Sequence, residues 1–124
     1  MVKIMPQEIE VWYLVPALRR ELAKTLIKQY RFSQKDVANV LDLTPAAVSQ
    51  YLSSKRGKDI NFLKCEKEKI NNVAKKISTN PENGTKYLYN LCVLLRKSNI
   101  ICRLHRKHDK TVSKKCDICG CYSN

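Results

Sequence analysis

The chain is short of acid. Of its 124 residues only 11 are Asp or Glu, against 24 Lys or Arg, for a formal charge of +13. So lopsided a surface favours nucleic acid as partner over an acidic protein surface. No apolar run approaches the roughly 18 residues that read as a membrane span. The opening residues MVKIMPQEIE carry neither the basic start nor the apolar stretch of a secretory signal. These absences predict a cytoplasmic protein with no membrane association. In that compartment six cysteines are reduced thiols or metal ligands rather than structural disulfides. A glycine-rich phosphate loop is missing too, and Asp109 is the one acid placed to orient His105 or His108. A chain of this length leaves little room for a substrate cavity once a helical core is built. The expectation is therefore a non-enzyme with no small-molecule substrate.

What is present begins with Phe32 to Leu52, FSQKDVANVLDLTPAAVSQYL, around which the rest is organised. Val37, Ala38 and Leu41 form the apolar stripe of a short helix opened by Ser33 as N-cap. Asp42 stands at a turn position needing a left-handed backbone, which glycine adopts freely and Asp tolerates at some cost. Thr44 then caps a second helix with Pro45 at its first position, and Val48 with Tyr51 or Leu52 returns to the core. Ala38 is small where two helices cross closely, and Val37 and Val48 are branched on either side of the crossing.

This unit resembles the helix-turn-helix of the Cro and repressor-like (XRE) family of transcriptional regulators, through Gln34, Ala38, Leu43, Thr44, Val48 and Tyr51; Asp42 departs from its usual glycine. The resemblance implies that the second helix enters the major groove of double-stranded DNA, with Pro45, Ala46, Ser49 and Gln50 against base edges. Gln50 can pair bidentately with adenine, Ser49 can bond several bases, and Ala46 can touch a thymine methyl. Such small side chains leave part of the specificity to DNA shape. Gln34, Lys35 and Thr44 stand where phosphates are usually held. The run Ser53 to Lys58 follows with three cations, of which Lys55 and Arg56 join the expected DNA-contacting set. The same run also suits a solvated helix end with Gly57 as its C-cap.

Around the unit, the spacing predicts a long helix from about Pro16 to Tyr30, with Leu18, Leu22, Leu26 and Tyr30 inward and Arg19, Arg20, Lys24 and Lys28 in water. Residues 7–14 fit either a short helix or an extended arm, and Trp12 fits core packing or a dimer contact. A fourth helix is expected from Ile60 to Ile77, with Phe62 or Leu63, Ile70, Val73 and Ile77 on one stripe and Cys65 of no special role. STNPENGT, Ser78 to Thr85, marks a boundary. A fifth helix from Lys86 to Ser98 turns Leu88, Leu91, Cys92 and Leu95 to one face, and from Arg96 to Lys115 the chain is basic.

Cys116 and Cys119 form C-x2-C, a spacing that brings two thiolates to one centre from a tight turn; Cys121 follows. With Cys92 and Cys102 the pattern becomes C-x9-C-x13-C-x2-C, four thiolates for one metal or cluster. The whole chain resembles a group of archaeal regulators with an XRE-type head, a motif of the form LC-x2-LRxS-x3-C-x2-H and a terminal C-x2-C. Leu91, Cys92, Leu95, Arg96, Ser98, Cys102, His105, Cys116 and Cys119 match it. That resemblance implies an iron–sulfur cluster or metal at the cysteine end. Structural Zn2+ suits four thiolates equally, and the surplus Cys121 and His105, with a single C-x2-C pair, tilt the choice to a cluster. Cys121 is a substitute ligand.

Together these readings predict an all-α fold, a helix-turn-helix bundle of about five helices with a short cysteine-rich C-terminal segment. Residues 1–78 form the DNA-binding part (motif 33–52) and 79–124 the cluster-binding part. A homodimer on a palindromic operator is expected, because two small heads on half-sites multiply affinity. The rivals are a regulator with a purely structural zinc site and a sequence-nonspecific nucleic-acid-binding protein.

Overall fold

The computed structural model describes residues 4–53, 56–57 and 60–109, and the described residues are helical with no strand. The first helical stretch is unbroken but not uniform: α1 (Pro6–Ile9), a π turn (Glu10–Leu14) and α2 (Val15–Tyr30) follow one another. Ile9, Glu10, Leu14 and Val15 at the joints all keep right-handed helical dihedrals. The π turn ends two residues before Pro16. A proline ring collides with the carbonyl four residues back and has no N–H to bond it, and a wider turn relieves that conflict. Residues 7–14, which fit two conformations by pattern, are thus helical.

In α2, Leu18, Leu22 and Leu26 are buried as their four-residue spacing requires, while Tyr30 is half-buried. Arg19, Arg20 and Lys24, expected in water, are half-buried, and Lys28 is exposed. Arginine and lysine stems can lie along apolar neighbours, and here the cover extends to the Nε atoms of Arg19 and Arg20. The helix ends at Arg31 in the left-handed region, φ 59°, where the Arg31 and Phe32 N–H groups both donate to the Leu26 carbonyl.

Two short helices follow, α3 (Gln34–Val40) and α4 (Pro45–Leu52), packed on each other and on α2. Beyond α4 the chain turns back beneath the start of α2. Gly57, at φ 74°, lies so near that a Cβ there would strike the Pro16 carbonyl. This corrects the expected role of Gly57 as a helix C-cap: α4 stops at Leu52 with Ser53 as its cap.

Helix α5 (Lys64–Thr79) begins four residues later than its apolar pattern suggested. Ile60 and Phe62 are buried before the helix starts, in a non-helical lead, and Leu63 is half-exposed as the N-cap. Ile70, Val73 and Ile77 hold the expected stripe. After a 3-10 turn (Pro81–Asn83), α6 (Gly84–Arg96) starts two residues before the expected Lys86, at a glycine where a Cβ would strike the Val40 carbonyl of α3. Leu88, Leu91, Cys92 and Leu95 face inward.

The chain past Arg96, read only as a basic stretch, forms another helix, α7 (Ile100–His108), which buries Ile100, Ile101, Cys102, Leu104 and His105. It packs on α1, the π turn and α6. One apolar cluster therefore runs from Ile9 to Leu104. No described helix is long and apolar enough to cross a membrane.

Candidate functional site

The α3–turn–α4 unit is built by reciprocal capping. The Asp36 N–H donates to Ser33 Oγ at 3.0 Å while the Ser33 N–H donates to Asp36 Oδ2 at 3.0 Å, satisfying two free amides at the start of α3. These hydrogen bonds from Ser33 hold the Asp36 carboxyl below its ordinary range. Asp42 takes the left-handed conformation, φ 55°, and the Leu43 N–H donates to the Ala38 carbonyl at 2.8 Å, closing the end of α3 in a Schellman arrangement. Thr44 Oγ1 accepts from the Ala47 N–H at 3.1 Å, which opens α4.

This frame buries Val37, Ala38, Leu41, Val48 and Tyr51 and leaves Pro45, Ala46 and Ser49 exposed along the outer edge of α4. Gln34 and Lys35, in the first turn of α3, are exposed as well. Gln50 is half-buried, and its Oε1 is covered without a hydrogen-bond partner. Bidentate pairing with a base needs both ends of the amide, so Gln50 must rotate before it can read one. Thr44 is exposed, but its hydroxyl already serves as the cap. Arg56 is exposed with its guanidinium 5.9 Å from the Tyr51 ring centroid, a cation–π contact that tethers the loop to α4. Lys55 lies outside the described residues.

Of the cysteines, Cys92 and Cys102 are buried on α6 and α7, helices that pack together, and neither is in a disulfide. Burial pushes the Cys92 thiol up to about 11, and the Glu10 carboxylate adds to the effect. Cys65 is exposed. Cys116, Cys119 and Cys121 lie outside the described residues. Among the described residues no three of His, Cys, Asp and Glu stand together as a group that could hold a metal ion. Two inward sulfurs are the donor chemistry that zinc and iron–sulfur clusters take, and a bound metal would displace the thiol protons. A centre using them would need further ligands from outside the described residues.

Several polar contacts escaped the sequence reading. Glu66, 1% exposed, receives both terminal nitrogens of Arg103 at 2.9 and 3.0 Å and also accepts from the Leu63 N–H at 2.8 Å, capping α5. Arg96 makes a two-pronged bond to Glu10, joining α6 to the π turn. The backbone of Ile4 is clipped at both ends: its N–H donates to Asp109 Oδ2 at 2.9 Å, and its carbonyl accepts from His105 Nε2 at 2.5 Å. His108 stacks on Tyr13, ring centroids 3.6 Å apart. Both histidines are thus engaged in holding α7 to the N-terminal part of the chain, His105 at Ile4 and His108 at Tyr13. The apolar spacing of Ile100, Ile101 and Leu104 was the available signal for α7, masked by the cations around it. Trp12, expected in the core or at a contact, is 54% exposed, and the adjacent Val11 is 63% exposed.

Compared with known proteins, the chain matches no family model, no curated protein and no solved structure.

Proposed function

We propose that this protein is a sequence-specific DNA-binding regulator that reads a palindromic duplex as a homodimer through a helix-turn-helix formed by α3 and α4. The observation that carries the reading is the α4 edge: Pro45, Ala46 and Ser49 stand exposed in a row, while Val48 and Tyr51 lock the helix from behind. A capped, rigid helix presenting short side chains fits a major groove, and a chain of formal charge +13 supplies the attraction to phosphate. Gln34, Lys35 and Arg56 flank the edge as backbone contacts.

The test is binding of a selected operator against scrambled duplex at physiological salt. Gln50→Ala should relax preference at one base pair, at about 1–3 kcal/mol, since Gln50 is the side chain able to pair with a base through two bonds. Lys35→Ala or Arg56→Ala should weaken every sequence alike and flatten the salt dependence. Equal affinity for operator and scrambled DNA would favour a sequence-nonspecific nucleic-acid-binding protein instead.

The second part of the proposal is that Cys92 and Cys102, with Cys116 and Cys119 (Cys121 as substitute), hold an iron–sulfur cluster whose state modulates DNA binding. The inward placement of Cys92 and Cys102 on packed helices supports it. When bound, such a centre would tie the chain beyond Asp109 to α6 and α7, adding metal-binding energy to folding. Protein purified without oxygen should absorb in the visible and contain iron and sulfide, and Cys92→Ser or Cys102→Ser should abolish the colour while Cys65→Ser retains it. A colourless protein with one zinc per chain would mean a structural site.

A further inference from the structure

Among the described residues, three of the most exposed large apolar side chains are Val11 at 63%, Tyr89 at 62% and Trp12 at 54%. They come from two elements that a polar contact joins. Arg96 of α6 makes its two-pronged bond to Glu10, and Val11 and Trp12 are the next two residues of the π turn. Tyr89, Val93 and Arg96 recur at intervals of four and three residues, so they share one side of α6. The Glu10 hydrogen bonds hold the Arg96 guanidinium above its ordinary value, and Tyr89 stands near enough to add to that effect. Val11 and Trp12 thus flank the Glu10–Arg96 bridge on one hand, and Tyr89 and the half-buried Val93 on the other.

Trp, Tyr and Arg are the side chains that most often anchor protein contacts, and apolar groups gathered in the open mark such surfaces. The widened turn, a geometry that recurs at functional sites, sets the register in which Ile9 and Leu14 stay buried while Val11 and Trp12 both face out. Charge decides the occupant. Two copies of a chain at +13 repel, so they approach closely only where each copy's own charge is balanced. On this face one carboxylate and one guanidinium cancel, and across a two-fold axis each sign can meet its opposite. A nucleic acid or an acidic partner gains little here, because the cation of the bridge is already held by Glu10.

We propose that two copies of the chain meet through this face, with Val11, Trp12, Tyr89 and Val93 at the apolar centre of an isologous contact around the Glu10–Arg96 bridge. The proposal rests on the homodimer clause of the function proposed above, and it names the surface which that clause leaves open. An apolar centre of four side chains around a charged bridge belongs to a contact of standard size, about 800 Å2 per partner, which forms and separates with concentration. The face shares no residue with the α4 edge of Pro45, Ala46 and Ser49.

The experiment uses the single tryptophan of the chain as its probe. The full chain is taken through a concentration series without DNA, under reducing conditions so that the exposed Cys65 cannot crosslink copies. Mass measured by sedimentation should rise from 14.4 kDa towards twice that value. Over the same range Trp12 emission should move to the blue and its quenching by acrylamide should fall. Tyr89→Gln, at an exposed position and with wild-type helicity and melting temperature, should shift both curves to higher concentration, on the order of thirtyfold. A dimer whose Trp12 emission is that of the monomer overturns the proposal, as does a chain that stays at 14.4 kDa throughout, or a Tyr89→Gln variant that pairs as the wild type does. Duplex binding is scored separately: Tyr89→Gln should bind a single half-site like the wild type and lose the gain from the palindrome. A chain that pairs through Trp12 and binds no duplex upholds this face and overturns the DNA-binding reading.

Discussion

A thiol enclosed by hydrocarbon keeps its proton, because the thiolate would lose its water without gaining a partner. Cys92 illustrates the point: it sits among Leu88, Leu91 and Leu95 on the buried side of α6, and its proton is held to about 11 against an ordinary 9.0. In the metal-free chain this links stability to alkaline pH. The unfolded thiol ionises first, so the unfolded state binds fewer protons between about 9 and 11 and folding weakens through that window, with no effect below it. Urea titrations of wild type and Cys92→Ala at stepped pH should show the wild type losing stability relative to the variant only in that range. At neutral pH a thiol-reactive dye should label exposed Cys65 well before Cys92.

At the scale of elements, α3 and α4 are too short to persist alone, since isolated helices below about 12 residues are marginal in water. Their ends carry much of the burden. Asp36 and Ser33 close α3 at its start, Asp42 and Leu43 at its end, and Thr44 opens α4. Thr44→Ala should cost about 1 kcal/mol of global stability. It should also raise amide exchange at Ala47, whose N–H loses its acceptor, before it affects α2. Exchange measured residue by residue checks both, and equal acceleration in α2 would show that the cap has no local role. Asp42 was readable as a left-handed residue from its place between two helical stripes, because only a few side chains accept that conformation.

At the scale of the whole molecule, cross-chain polar pairs join what the apolar core alone leaves adjustable. Glu66 and Arg103 are 37 positions apart in sequence, and their contact holds α7 to the start of α5. Removing Arg103 strands a carboxylate that is 1% exposed, whereas removing Glu66 leaves a guanidinium that is 28% exposed and can turn to water. Arg103→Ala should therefore cost about 3 kcal/mol, Glu66→Ala less, and the double variant less than the two losses added. Denaturant unfolding of the three variants measures this. Additive losses would mean that the pair carries no coupling.

The periodicity of Leu18, Leu22 and Leu26, the caps Ser33 and Thr44, the turn at Asp42 and the inward face of α6 were all legible in the chain, because each depends on residues within a turn or two of one another. Starts and stops set by distant partners were not. Gly84 opens α6 because Val40 lies against it, and Phe62 stays outside the helix, buried before α5 begins. Helix α7 stayed hidden because its apolar positions are interleaved with cations, and burial against α1 and α6 outweighs what composition alone suggests. Pro45, Ala46 and Ser49 are exposed along α4, but the covered oxygen of Gln50 was not foreseeable. By itself, then, the sequence determined the helical class, the local caps and the basic character. The tertiary structure decided which charges pair and where α7 lies, since a contact such as Ile4 with His105 and Asp109 exists only once the two ends of the described chain are brought together.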